Sequence, residues 1–322
     1  MRDLIWVVGS GGMLGSAVLR HLRADDPEQV FTGGRISWGQ PGALSDLETS
    51  LRRLVTEAGA TWQIYWCAGA GVTSSGADSL RSEVALLESF FSLVSQLPPD
   101  DRARGSVFLA SSAGAVYGGS VGAPFDEDSI PVPLGEYGTS KLLMEAALTR
   151  LSGETGMPVL IGRIANLYGP GQSLAKQQGI VSQLCKASLL GQPISLFVSL
   201  DTRRDYIFVD DCAALIAQAG ARLRRVDRGT PPVIKILASG RSVTLASILG
   251  EFRRVIGRRP RVVTGVSPHA GLQGLDLRFL SRVWPDLDRG QKTPLAVGMS
   301  RTLADLSLQL NAGGAVSLGA HK

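Results

Sequence analysis

Two residues four apart carry the sharpest chemical signal in the chain: Tyr137 and Lys141, in the run Tyr-Gly-Thr-Ser-Lys. On a helix such residues share a face, so the ammonium stands beside the phenol. A cation there favours the phenolate and suits the tyrosine to general acid and base work. The bland alternative is a surface helix with an incidental pair. Upstream, the apolar run Val-Phe-Leu-Ala ends in Ser111 and Ser112. Strand ends of this kind meet the ligand crevice of open α/β sheets, where a hydroxyl can bond a reacting oxygen as charge develops. Ser112 is preferred to Ser111 for that role; otherwise the serine caps the following turn.

The elements that must hold these residues begin with LIWVVG followed directly by GSGGMLG. Gly9, Gly12 and Gly15 are three apart and lead into a helical pattern. Glycines here permit a tight turn, admit backbone N–H groups to a pyrophosphate and let the helix pack on the strand. The turn and the helix start, including Gly11, Met13 and Leu14, therefore form the expected dinucleotide site, joined by Ala110 and Ile164 near the ends of later apolar runs. The second run, Phe-Thr-Gly-Gly-Arg, lacks an acidic residue for a ribose hydroxyl and offers Arg35 instead. An arginine without a competing carboxylate accommodates a 2′-phosphate and favours NADP; if Arg35 points to solvent, NAD is equally open. The cofactor is expected to be NAD or NADP.

Short apolar runs alternate with amphipathic helical stretches as far as PVLIGRIANLYG, which implies parallel strands joined by crossover helices. The expected fold class is α/β, a doubly wound Rossmann-type sheet with a smaller C-terminal α/β substrate-binding part. Residues 1–168 form the dinucleotide-binding domain, rejoined by a strand near 205–240. Residues 169–312 mainly bind substrate, with a helix starting near Thr244 and capped by Ser242 or Thr244. The Gly/Ala/Ser-rich residues 313–322 read as a flexible tail.

The 322 residues are 44% hydrophobic and 19% charged, enough for a substantial core. The net charge of +5 comes from scattered arginines. In EFRRVIGRRPR, Phe252, Val255 and Ile256 share one helix side and the arginines the other, the pattern of a solvated face. Without interleaved aromatics, nucleic acid is not expected as a partner. Cys67, Cys185 and Cys212 are odd in number and far apart, which speaks against a disulfide framework or a zinc site; no metal is expected. Neither a leader-like start nor an apolar run of about 20 residues is present, so a cytoplasmic protein without membrane contact is expected.

In order, GSGGMLG, SSAGAVYG, YGTSK, GRIANLYGPGQ, RRDYIFVDD and ILASGRSVTL resemble the extended short-chain dehydrogenase/reductase family over nearly the whole chain. The likeness is to its nucleotide-sugar epimerase/dehydratase branch, UDP-galactose 4-epimerase-like. The resemblance implies Tyr137 as acid and base, Lys141 as the residue that orients the ribose and promotes tyrosine ionisation, and Ser112 (or Ser111) on the sugar oxygen. It further implies Asn166 and Arg204 on substrate phosphates, Asp46 and Leu47 bracketing adenine, and Ala68, Gly69 and Ala70 as a small-residue turn along the cofactor. A homodimer through the helices around 80–97 and 137–150 is also implied.

Departures from the family pattern narrow the chemistry. Sugar 4,6-dehydratases carry Asp-Glu after the strand-end hydroxyl residue, whereas Ala113 and Gly114 follow Ser112, which disfavours dehydration. An Arg-Pro-Gly-Asp-like stretch near 270 is replaced by Ser267, Pro268, His269, Ala270 and Gly271. Segments 173–179 and 265–276 have no assigned roles. The expected activity is a nucleotide-sugar 4-epimerase; the alternative is an NADPH-dependent 4-ketoreductase acting on a nucleotide 4-keto-6-deoxysugar, and the third is a non-catalytic dinucleotide-binding regulator.

Overall fold

Apolar stretches and amphipathic helices alternate in the folded chain as they do along the sequence. The computed structural model describes residues 2–69, 71, 75–172, 179–265 and 274–319. The first part contains β1 (Leu4–Val8), α1 (Met13–Asp25), β2 (Val30–Phe31), α2 (Ala43–Glu57), β3 (Trp62–Trp66) and α3 (Ala77–Ser95). It continues with α4 (Pro99–Ala103), β4 (Gly105–Ser112), α5 (Ala113–Val116), α6 (Glu136–Thr155) and β5 (Val159–Ile164). Then come β6 (Asn166–Tyr168), α7 (Ile180–Leu189), β7 (Ile194–Leu196), β8 (Arg203–Phe208), α8 (Val209–Leu223) and β9 (Val233–Leu237). The last elements are β10 (Ser242–Thr244), α9 (Leu245–Ile256), β11 (Val262–Thr264), β12 (Asp276–Leu277) and α10 (Leu295–Gly319).

Six strands form one sheet in the order β2-β1-β3-β4-β5-β9, every neighbouring pair parallel. Successive side chains of a strand face opposite ways, and β1 accordingly divides its residues between two cores. Ile5 and Val7 enter a core shared with α1 and α8, while Leu4, Trp6 and Val8 enter a second core shared with α2, α3 and α6. Helices therefore cover both faces, which is why β1 reads as an unbroken apolar run and why β3 and β5, despite Gln63 and Arg163, are also buried throughout. The expected doubly wound α/β sheet is present, and β9 is the strand that returns to it.

Around β8 a smaller sheet gathers β10, β12 and β6, and β7 pairs with β11. Helix α9 starts where the Thr244 hydroxyl accepts a hydrogen bond from the Ser247 amide at 3.1 Å, and it ends at Gly257 with φ 69°. Both are the local chemistry a helix of that length needs at its termini. Helix α10 runs to Gly319, beyond the point where composition alone implies an unstructured tail. Among the described residues no helix is long and apolar enough to cross a membrane.

Candidate active site

The strand order changes direction between β1 and β3, and the loops leaving these two strands border a crevice. Gly9 adopts φ +86°, and a Cβ there would lie 2.6 Å from the Ala68 backbone. A Cβ on Gly15 would lie 2.2 Å from the Gly9 carbonyl oxygen, so two of the three spaced glycines are required by close approach. Gly11 differs: a Cβ there would meet nothing within 4 Å. Gly12 supplies the N-cap of α1 without a side-chain cap, and Met13 and Leu14 begin the helix. The free amides of that helix end are available to an anion.

Beside the turn lies a cavity of about 790 Å³, bounded by Gly9, Ser10 and Gly11, by residues 31–38 with Gln40, and by Trp6, Leu19 and Arg23. Arg35, singled out from the sequence, is part of that wall. Asp46 and Leu47 are not. Asp46 sits in the first turn of α2 and accepts the Ser37 amide at 2.8 Å, which orders the loop after β2. Leu47 is 0% exposed and turned into the core under the sheet. Register drives the difference: the pair falls within a helix whose apolar face is pressed on the sheet.

Tyr137 and Lys141 lie in the first turns of α6, with the Lys141 ammonium 5.7 Å from the tyrosine ring centroid. Lys141 is buried, and its Nζ lies 3.6 Å from the Met144 sulfur. A Cβ on Gly69 would stand 3.6 Å from that same Nζ. The lysine is thus wedged between the tyrosine and the loop after β3 that carries Ala68 and Gly69. Ala70 lies outside the described residues, as do residues 173–178 and 266–273.

Ser111 and Ser112 end β4 on opposite faces, and their hydroxyls do different things. The Ser112 oxygen accepts the Ala115 amide at 3.4 Å and caps α5. Ser111 is buried and donates to Glu145 at 2.5 Å. Glu145 in turn receives Arg163, whose Nη2 bonds it at 2.7 Å and whose Nε approaches both carboxylate oxygens. Arg163 Nη1 reaches the Tyr117 hydroxyl at 2.5 Å, which donates to the Asp126 carbonyl. Burial opposes the Arg163 charge, but its contacts with Glu145 and Tyr117 together outweigh that and hold its pKa above the ordinary value. This chain of contacts commits the Ser111 hydroxyl proton to Glu145.

Ala110 and Ile164 lie near the crevice ends of β4 and β5, Ile164 in register with Ser112. Asn166 on β6 donates to the Asp205 carbonyl at 3.2 Å. Arg204 on β8 is 9% exposed and bonds the Arg203 carbonyl; burial pulls its pKa down. Its neighbour Asp205 is 1% exposed, accepts the Ser239 amide at 2.8 Å and is pushed up to about 6 by burial. The second Asp205 oxygen has no hydrogen-bond partner among the described residues. Sequence reasoning missed the Glu145–Arg163 contact, although a glutamate four residues after Lys141 and an arginine inside an apolar strand were visible signals.

The glycine cradle, the open helix end and the adjoining cavity fit a nicotinamide dinucleotide, and the loop after β3 links the two regions, its Ala68 backbone packed on Gly9 and its Gly69 beside the Lys141 Nζ. This combination defines a dinucleotide-binding protein with a tyrosine–lysine site. The profile of the NAD dependent epimerase/dehydratase family matches residues 5–234, and the chain belongs to that family. Among curated relatives, the dTDP-4-dehydro-6-deoxyglucose reductase of Escherichia coli is 35% identical over 105 residues, 33% of each chain. The UDP-glucose 4-epimerase of Azospirillum brasilense is 31% identical over 163 residues, 46% of each. The chain thus spans between a third and a half of the length of these relatives. In fold it is similar to the UDP-glucose 4-epimerase of Thermotoga maritima solved with UDP-glucose, with a TM-score of 0.78 at 20% identity over 95% of this chain and 99% of that one.

Proposed function

We propose that the protein is a nucleotide-sugar 4-epimerase that interconverts a hydroxyl and a ketone at C4 of the sugar. The observation that carries this reading is the placement of Lys141 between the Tyr137 ring and the loop at Gly69. A bound NAD or NADP supplies hydride removal and return at the sugar carbon. Tyr137 takes the hydroxyl proton and gives it back, with Lys141 supplying the positive charge beside it. Ser112 accepts the Ala115 amide through an oxygen lone pair, which leaves its O–H free to donate to the sugar oxygen. Asn166 and Arg204, brought together by the pairing of β6 with β8, are assigned to the substrate diphosphate.

A carboxylate pair for dehydration is absent from positions 113 and 114, which favours epimerisation. The two arginines of the cavity wall favour a second reading, a 4-ketoreductase that consumes NADPH. We place the protein in the cytoplasm, where its three free cysteines remain reduced, and assign it a homodimer through α3 and α6. These helices pack side by side, and Leu143 on α6 is half exposed.

Freshly purified protein, denatured and assayed for released cofactor, separates the two activities: stoichiometric NAD(P) is expected for the epimerase and an empty site for the reductase. A thermal-shift screen of uridine, thymidine and guanosine diphosphate sugars is expected to raise the melting temperature with at least one. No shift across all three would sink the nucleotide-sugar assignment. Tyr137→Phe is expected to cut turnover by about 10²- to 10⁴-fold while dinucleotide binding survives.

A further inference from the structure

Helix α10 gives no residue to the glycine turn, to the cavity or to the tyrosine–lysine pair, yet it holds the loop that leaves β6. Its start is fixed by Thr293, whose amide and hydroxyl donate to Asp211 of α8 at 2.7 and 2.9 Å. A Cβ on Gly298 would lie 2.4 Å from the Tyr168 hydroxyl oxygen, so the helix backbone rests directly on the last residue of β6. Further along, the Asp305 carboxylate accepts the Gly171 amide at 2.9 Å. The Gln309 side-chain amide donates to that carboxylate at 2.8 Å and to the Gln172 carbonyl at 3.3 Å. Both grips are on backbone groups, so they fix the path of the loop and not one of its side chains.

That path leads to the cofactor crevice. Gly171 adopts φ +87°, a conformation that favours glycine, and a Cβ there would stand 3.5 Å from Met13 Cα and 3.8 Å from the Ser16 hydroxyl oxygen. The loop therefore lies against the first turn of α1, the helix end whose amides are available to a pyrophosphate. On its other side Gly169 packs on α8, where a Cβ would meet Val209 at 2.5 Å. A loop bordering the anion-binding end of α1 is thus pinned by a carboxylate 134 positions later in the chain.

We infer that α10 is a clasp on the cofactor site: Asp305 and Gln309 are positioning residues that hold loop 169–172 against the start of α1 and slow the departure of the bound dinucleotide. The inference rests on the dinucleotide-binding reading and goes beyond it by assigning the rate of cofactor release to the last helix. A loop already held in place loses no further conformational freedom when a ligand binds, and one that can swing away opens an exit. Effects of this kind fall mainly on dissociation. A cofactor that takes a hydride and returns it must stay bound through the whole turnover, which is the demand such a clasp meets.

Stopped-flow fluorescence of the full chain tests it. NADH or NADPH is bound and then displaced by excess NAD or NADP, and the decay of the bound signal gives the release rate. Asp305→Ala is expected to speed release about three- to tenfold while changing the association rate by less than about twofold. Gln309→Ala should act in the same direction with a smaller effect. Asp305→Asn keeps an acceptor for the Gly171 amide and should stay near the parent rate. Thr244→Ala, which loses a helix cap on α9 instead, should lower the melting temperature yet leave release unchanged. Release no faster in Asp305→Ala than in Thr244→Ala would overturn the inference, as would an Asp305→Asn variant as fast as Asp305→Ala. A parent chain that binds neither dinucleotide sinks the dinucleotide reading itself, a result distinct from a bound cofactor whose release ignores Asp305.

Discussion

The two sides of the crevice are built by opposite means. On the glycine-turn side the decisive feature is space: Gly9 and Gly15 let backbone approach backbone, and the arginines around the cavity have no side-chain partners among the described residues. On the tyrosine–lysine side the decisive feature is paired charge, with Ser111, Glu145, Arg163 and Tyr117 locked together in the interior. Strand β4, strand β5 and helix α6 meet in that contact, so it fixes the ground on which Ser112, Tyr137 and Lys141 stand. A ligand can supply the charge missing from the first side. The second side must be complete before any ligand arrives.

The contrast can be broken by experiment. Glu145→Ala strands a buried guanidinium and is expected to cost about 3–5 kcal/mol in denaturant unfolding, whereas the double variant with Arg163→Met should recover much of that. If the single change costs no more than a surface substitution, paired charge is not what holds this side. Asp205 provides the next effect. Its folded pKa of about 6 lies above the ordinary 3.8, so the native state binds more protons between those values and stability falls as pH rises through that window. About two pKa units correspond to about 3 kcal/mol, and Asp205→Asn should flatten that part of the pH–stability curve.

On the open side, Gly15→Ala drives a methyl into the Gly9 carbonyl and is expected to cost about 1–3 kcal/mol along with most dinucleotide affinity. Retained affinity would show that the turn tolerates more than its geometry implies. Thr244→Ala, remote from both sides, removes the cap of α9 and should cost about 1 kcal/mol, which sets the scale for a purely local loss.

The same contrast decides what could be read from the residues alone. Glycine spacing, strand alternation and the four-residue step from Tyr137 to Lys141 are local patterns, and the parallel sheet, the turn and the site helix came from them. The cap at Thr244 was legible for the same reason. Partners distant in sequence were not: Ser111, Glu145 and Arg163 meet only because β4, α6 and β5 pack together, and nothing between them in the chain announces it. The burial of Leu47 was likewise not legible, since a two-residue resemblance carried no information about which face of α2 it would occupy. Arg23 went unnoticed because a basic residue at a helix end has an ordinary explanation in the helix dipole.

Strand β9 has a bearing on how the chain can be made and cut. Its neighbour β5 is buried along its whole length, yet the residues that cover its far edge come some seventy positions later, after β6, β7, β8 and α8. Until Val233–Leu237 are in place, Val159–Ile164 present an apolar edge with unmatched amides, a template for pairing with another chain. A gene fragment that stops at residue 168 is therefore expected to aggregate, because its central sheet lacks the strand that closes it.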